Sequence, residues 1–85
     1  MRDLEPIVKI LTGIIDDRTV PRNIRAAAEE AKKELTEKSN NNWDIRLSSA
    51  ISTLDEIIND PNMPMYTRTQ IWNVVSMLET VKREL

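Results

Sequence analysis

Two short polar segments, Asp16-Asp17 and Asn59-Asp60, carry the residue types best able to support chemistry. Carboxylate and amide oxygens that converge at helix ends can hold Mg²⁺ or Ca²⁺, so one interpretation is a cation site or a carboxylate enzyme. The other interpretation is structural, because Asp and Asn are favoured where one helix stops and the next begins. We predict the structural role and no metal site.

The sequence lacks the side chains on which most enzyme mechanisms depend. The chain has no histidine and no cysteine, which removes the usual general base near neutral pH, the usual nucleophile pairs and most transition-metal ligands. Its single glycine, Gly13, falls inside a helical pattern, so a glycine-rich phosphate loop is excluded. We therefore expect no enzyme activity, no catalytic residues and no cofactor.

Arg18, Arg22 and Arg25 form the densest basic cluster, and guanidinium groups can hold phosphate or carboxylate. One hypothesis is that these residues, with Arg68, bind nucleic acid. The net charge of −2 provides no broad positive field for a phosphate backbone, however. Binding of RNA, DNA or a ribonucleoprotein is therefore the alternative function, and a solvated helix surface is the ordinary interpretation of the cluster.

The C-terminal apolar pattern is wider than one helix face requires. Met65 and Trp72 lie on one flank of the stripe, and Tyr66 and Met77 lie on the other. Such residues are enriched at the centres of protein interfaces, although a small bundle also needs large core side chains. We predict that Trp72 is at the surface beside Arg68, and that Met65, Arg68 and Trp72 bind a partner.

The size and composition are those of one helical domain, residues 1–85, with 40% hydrophobic and 31% charged residues. No run approaches the roughly 18 apolar residues of a membrane span. The start "MRDLEPIVKI" lacks the basic and then apolar regions of a signal peptide. The absence of cysteine fits a reducing compartment. We expect a cytoplasmic protein with no membrane contact.

Apolar residues recur at three- and four-residue spacing in four segments, which predicts four helices and no strand. The helices are expected at roughly 3–16, 20–38, 43–59 and 64–85. Asp3 and Asn42 are the predicted N-caps of the first and third helices, and Pro6 suits a first helical turn. The predicted core includes Ile14, Leu47, Leu54, Ile71, Val74 and Leu78.

The sequence also contains an internal repeat, because "IIDDRTVPRNIR" at 14–25 is followed by "IINDPNMPMYTR" at 57–68. Pro21 and Pro64 stand 43 residues apart, and the same offset pairs Asp17 with Asp60. One hairpin cannot cover its own apolar stripe, so two of them back to back close the smallest core. We predict an all-α, four-helix antiparallel up-and-down bundle built from two similar helical hairpins, with superposable halves 4–38 and 47–81.

Two resemblances accompany this pattern. The segment "GIIDDRTVPRNIRAAAEEAKKEL" resembles a unit of the HEAT-type helical repeat. Over the whole chain, "MRDLEPIVKILTGIIDDRTVPRNIRAAAEEA" and "IINDPNMPMYTRTQIWNVVSMLE" resemble a family of short archaeal proteins catalogued only as an uncharacterised protein family. That resemblance implies a compact four-helix bundle from an archaeal cytoplasm. It implies no activity and assigns no functional residue.

The sequence therefore favours a non-enzymatic protein interaction module that binds another protein or itself. The alternatives are the nucleic-acid accessory protein and the carboxylate enzyme described above. Exposure of Met65 or Trp72 favours the interaction module. Salt-dependent binding to RNA or DNA favours the nucleic-acid accessory protein, and a metal titration tests the carboxylate enzyme.

Overall fold

A computed structural model of the protein describes residues 4–37 and 42–85, which contain four helices and no strand. The helices are α1 (Glu5–Ile15), α2 (Arg22–Thr36), α3 (Trp43–Ile57) and α4 (Met65–Arg83). The predicted all-α fold is confirmed, although each predicted helix extends one or two residues too far at one end or both. The predicted cap Asp3 and the predicted last residue of the second helix, Lys38, lie outside the described residues. No described helix is both long and apolar enough to cross a membrane.

The helix starts follow from local sequence. The side chain of Asn42 accepts the amide of Ile45 at 3.3 Å, which confirms the predicted cap of α3. Pro6 lies in the first turn of α1, as predicted. Pro21 and Pro64 fall inside the predicted ranges 20–38 and 64–85, but each stands one residue before its helix, with an extended ψ of 150° and 144°. Their carbonyls accept the first backbone hydrogen bonds of the two helices.

The four helices form a closed ring in which each packs on its neighbours in the sequence and α4 packs on α1. The connections between them are short, so consecutive helices run antiparallel and alternate up and down. HEAT-type units, by contrast, stack in an open row. The ring encloses one core to which all four helices contribute.

The six predicted core residues are all buried: Ile14, Leu47, Leu54, Ile71, Val74 and Leu78. Helix α2 contributes small residues to this core, among them the fully buried Ala28 and Ala31. The corresponding positions of α4 hold Ile71 and Val74. Small side chains on one helix and large ones on another fill the interior evenly.

We expect Leu54→Ala to lower the free energy of unfolding by about 2–5 kcal/mol, because Leu54, in the C-terminal half of α3, is fully buried and a bundle this small cannot refill the cavity. Urea denaturation measures the loss. Ser52→Ala, at an exposed position of the same helix, is the control. A loss below about 1 kcal/mol for Leu54→Ala would contradict its central place in the core.

Candidate functional site

The first turn (residues 16–21) joins α1 to α2, and the second turn (residues 58–64) joins α3 to α4. Both lie at the same end of the bundle. The side-chain amide of Asn23, on α2, donates a 2.8 Å hydrogen bond to the carboxylate of Asp60 in the second turn. This bond joins the start of α2, directly after the first turn, to the second turn and so links the two hairpins at this end.

The two turns share a backbone hydrogen-bond pattern. In each, the aspartate amide donates to the carbonyl three residues earlier, at 3.2 and 3.0 Å, and the aspartate carbonyl accepts the amide three residues later, at 3.1 Å in both. The residues joined in this way are Ile14, Asp17 and Val20 in the first turn, and Ile57, Asp60 and Met63 in the second. Similar sequence segments therefore form similar turns. Superposition of the complete halves stays a prediction.

The turn carboxylates are used as hydrogen-bond acceptors. The hydroxyl and the amide of Thr19 both donate to Asp17, at 2.6 and 2.9 Å, and together they hold the pKa of this carboxyl below its ordinary value. The amide of Asn62 donates to Asp60 at 2.8 Å, and this bond, followed by the one from Asn23, lowers the pKa of Asp60. Asp17 and Asp60 thus order their own turns. Neither caps the next helix, because Pro21 and Pro64 stand at the N-caps of α2 and α4 and no side chain caps either helix.

A metal centre needs several ligands at one place. Within residues 4–37 and 42–85, no group of three or more Asp, Glu, His or Cys side chains is arranged to hold a metal ion. Asp17 and Asp60 are engaged in their own turns, and the structure assigns no ligand role to Asp16 or Asn59.

Two arginines of the repeated segments turn back onto the turns. Arg25 donates from Nε to the carbonyl of Val20 at 3.0 Å. Arg68 donates from Nη2 to the carbonyl of Asp60 at 2.9 Å and from Nη1 to the carbonyl of Ile58. Each is the fourth residue of its helix, and each satisfies carbonyls at a point where the preceding helix has ended.

Arg46 plays the same part between the hairpins, and the sequence analysis missed it. It is the fourth residue of α3, only 5% exposed, and its Nε donates to the carbonyl of Glu34 at 2.8 Å. Glu34 is in the last turn of α2, where the backbone carbonyls have no amide of the same helix to accept from. The guanidinium also stacks on Trp43, 3.7 Å from the ring centroid. The detectable signal was the position shared with Arg25 and Arg68.

These contacts divide the predicted basic cluster. Arg18 and Arg22 are exposed, whereas the side chain of Arg25 is directed into the first turn and that of Arg68 onto the end of α3. Binding of nucleic acid by this cluster stays a prediction, with two exposed guanidinium groups instead of four.

The outer α4 face consists of Met65, Thr69, Trp72 and Ser76, which are all exposed and share one side of the helix. Met65 is 74% exposed and Trp72 is 54% exposed, so Trp72 lies at the surface as predicted. Beside this face Tyr66 is 73% exposed, whereas Met77 is half-buried against the core. The role of Met65, Arg68 and Trp72 in binding a partner stays a prediction.

The outer α4 face is also uncharged. Between Met65 and Leu78 the sole charged residue is Arg68, whose guanidinium is bound to Ile58 and Asp60. Other shallow depressions of the surface are charged. The one along α2 is lined by Ala26, Glu29, Glu30, Lys33, Glu34 and Glu37, and the one between α3 and α4 includes the exposed ion pair of Lys82 and Asp44 at 3.9 Å.

The fold and its turns define a small all-α bundle protein, and comparison with known sequences assigns it to a family. Residues 2–81 match the profile of the uncharacterised protein family UPF0147, and the chain belongs to that family. It is 57% identical over 79 residues to the UPF0147 protein MJ1419 of Methanocaldococcus jannaschii, a match that covers 93% of this chain and 84% of the relative. A UPF0147 protein of Archaeoglobus fulgidus is 45% identical, covering 98% of this chain and 93% of the relative.

Two solved structures have the same fold. The crystal structure of the unknown-function protein MMP1188 matches with a TM-score of 0.84 and 52% identity, over 91% of this chain and 86% of that one. A UPF0147 protein of Thermoplasma acidophilum matches with a TM-score of 0.84 and 33% identity, over 92% and 91%. The resemblance to a short archaeal family is thus confirmed, and the names of these relatives carry no activity.

The acidic turns give the fold a pH dependence of known sign. Because the pKa of Asp60 is lowered in the folded state, its contribution is complete above the ordinary aspartate pKa of about 3.9 and is lost as the pH falls through the lowered value. We expect Asp60→Asn to have a lower free energy of unfolding than the wild type at about pH 6. The difference between the two proteins should be smaller at about pH 2.5.

Urea midpoints at the two pH values measure this gap. Asp16→Asn is the matched control, because Asp16 begins the first turn while its side chain stands outside these hydrogen bonds. A gap between Asp60→Asn and the wild type that is equal at both pH values would contradict the assignment.

Arg46→Met should lower the free energy of unfolding by about 1–3 kcal/mol, since it keeps the apolar stem and removes the donor to the Glu34 carbonyl and the cation over Trp43. Arg22→Met, at an exposed position of α2, should change it by no more than about 0.5 kcal/mol. Equal effects of the two substitutions in thermal or urea denaturation would refute a special role for Arg46.

Proposed function

We propose that the protein is a non-enzymatic interaction module that docks on an uncharged protein surface through the outer α4 face. The observation that carries the proposal is the exposure of two large apolar side chains, Met65 and Trp72, on one side of a helix. Aromatic residues and Met are enriched in protein interfaces, and charged residues are depleted from interface cores. The outer α4 face has both properties.

The bundle does not need apolar residues at these positions. The inner side of α4 already supplies Ile71, Val74 and Leu78 to the core, all fully buried. Helix α2 begins in the same way as α4, directly after a proline and with an arginine as its fourth residue. At the positions of α2 that correspond to the outer α4 face stand Arg22, Ala26, Glu29 and Lys33, all exposed.

This internal comparison separates folding from function. The same helix position is occupied by Glu29 in α2 and by Trp72 in α4, so its place in the fold is compatible with a charge. In the monomer, only the covered part of the Trp72 side chain, less than half of it, contributes free energy of burial. A partner that covers it recovers that free energy.

Chemistry within the molecule also favours binding over catalysis. With no His and no Cys, and with Asp17 and Asp60 accepting hydrogen bonds in their turns, an acid–base mechanism has few groups to use. The absence of cysteine is consistent with our proposal that the protein acts in the cytoplasm.

We expect Trp72→Gln to abolish binding through the outer α4 face while changing the free energy of unfolding by less than about 1 kcal/mol, because the side chain is more than half exposed. The measurement compares proteins retained from native extract by immobilised wild type and by the variant, with thermal unfolding of both recorded in parallel.

Ile45→Gln is the matched control, since Ile45 is an apolar residue on α3 with 53% exposure, nearly the same as Trp72. Partners that depend on the outer α4 face are lost with Trp72→Gln and kept with Ile45→Gln. If both variants lose the same partners, the effect is general surface hydrophobicity. If Trp72→Gln loses none, the proposal fails.

A further inference from the structure

The outer α4 face alternates large and small side chains. Met65, Thr69, Trp72 and Ser76 follow one another at spacings of four, three and four residues, so they form a continuous ridge along one side of α4. At a rise of about 1.5 Å per residue the ridge is about 16 Å long. Met65 and Trp72 project as knobs, and Thr69 and Ser76 leave room between and beyond them.

This alternation has a centre. Met65 and Ser76 stand equally far on either side of the midpoint between residues 70 and 71, and Thr69 and Trp72 do the same at closer range. When a second α4 is placed antiparallel about a twofold axis through that midpoint, each large residue meets a small one. Trp72 then lies level with Thr69 of the second copy, and Met65 with Ser76 of the second copy.

The charges permit this arrangement. The one charged residue between Met65 and Ser76 is Arg68, which would lie level with Asn73 of the second copy and whose guanidinium is already bound to the second turn. Within this stretch of α4 no like charges lie level with each other, so α4 itself does not oppose self-association electrostatically. The parallel alternative stacks Trp72 on Trp72 and leaves a gap between the two Thr69 side chains.

We infer that the partner of the outer α4 face is a second copy of this chain, bound antiparallel about a twofold axis between residues 70 and 71. This inference rests on the proposed function and adds the identity of the partner and the register. Such an interface is isologous, so both copies present the same surface and the assembly closes as a dimer.

Cysteine cross-linking tests the register, because the natural chain has no cysteine to interfere. Met65→Cys and Ser76→Cys are prepared separately, then oxidised alone and as an equal mixture. Level positions allow a disulfide, which needs Cα atoms within about 7 Å. We expect cross-linked dimers in the mixture and almost none in either variant alone, because two copies of residue 65 lie about 16 Å apart along the helix axis.

The same mixture carrying Trp72→Gln in both chains is the control for random collision, and its cross-linking should fall at least about tenfold. Met65→Cys alone that cross-links as readily as the mixture would overturn the antiparallel register. Unchanged cross-linking in the Trp72→Gln control would overturn the interface itself.

Sedimentation of the unmodified wild type up to about 1 mM tests the identity of the partner. We expect a concentration-dependent dimer whose dissociation constant rises at least about tenfold in Trp72→Gln and stays unchanged in Ile45→Gln. A strictly monomeric wild type that still retains another protein through Trp72 would overturn this inference and leave the proposed function standing. A monomer with no Trp72-dependent retention would overturn both.

Discussion

The bundle depends on one repeated interaction, in which an arginine at the fourth position of a helix binds backbone carbonyls at the end of the chain segment before it. Arg25, Arg46 and Arg68 each serve one of the three connections. The carbonyls of Glu34 and Ile58 stand at helix ends, where they have no partner in their own helix, and those of Val20 and Asp60 lie in the turns. A carbonyl left unpaired where water is excluded costs free energy. The charged donor satisfies them and ties the start of each helix to the segment before it.

These contacts also determine which positive charges remain at the surface. Arg68 stands on α4 next to the exposed Met65 and Trp72, yet its guanidinium is spent on Ile58 and Asp60. The outer α4 face itself holds no charged side chain, and the guanidinium of Arg68, which keeps its positive charge, is held at the end of α3. In the same way Arg25 is held against the first turn, so the exposed guanidinium groups of the basic cluster are those of Arg18 and Arg22. Stabilisation of the turns and the character of the surface are thus linked through the same side chains.

Periodicity predicted what depends on one helix at a time. The spacing of Leu47, Leu54 and Leu78 identified the core, and the 100° step from Ile71 placed Trp72 outside it. Contacts between distant segments could not be read in this way. Nothing in the local pattern singles out Arg46, because its partner Glu34 lies twelve residues away and meets it only when α2 packs on α3. The contact of Asn23 with Asp60 depends likewise on which turns become neighbours.

The contrast between the two hairpins is the strongest indication of what lies outside the molecule. Their turns use matching hydrogen bonds, and their second helices start alike, so the same constraints of folding act on α2 and α4. Those constraints accept charged residues on the outer side of α2, where Arg22 and Glu29 occur. They therefore do not account for Met65 and Trp72 at the matching positions of α4. The binding partner that we propose would account for them, because interface formation rewards apolar residues that folding of the monomer leaves in water.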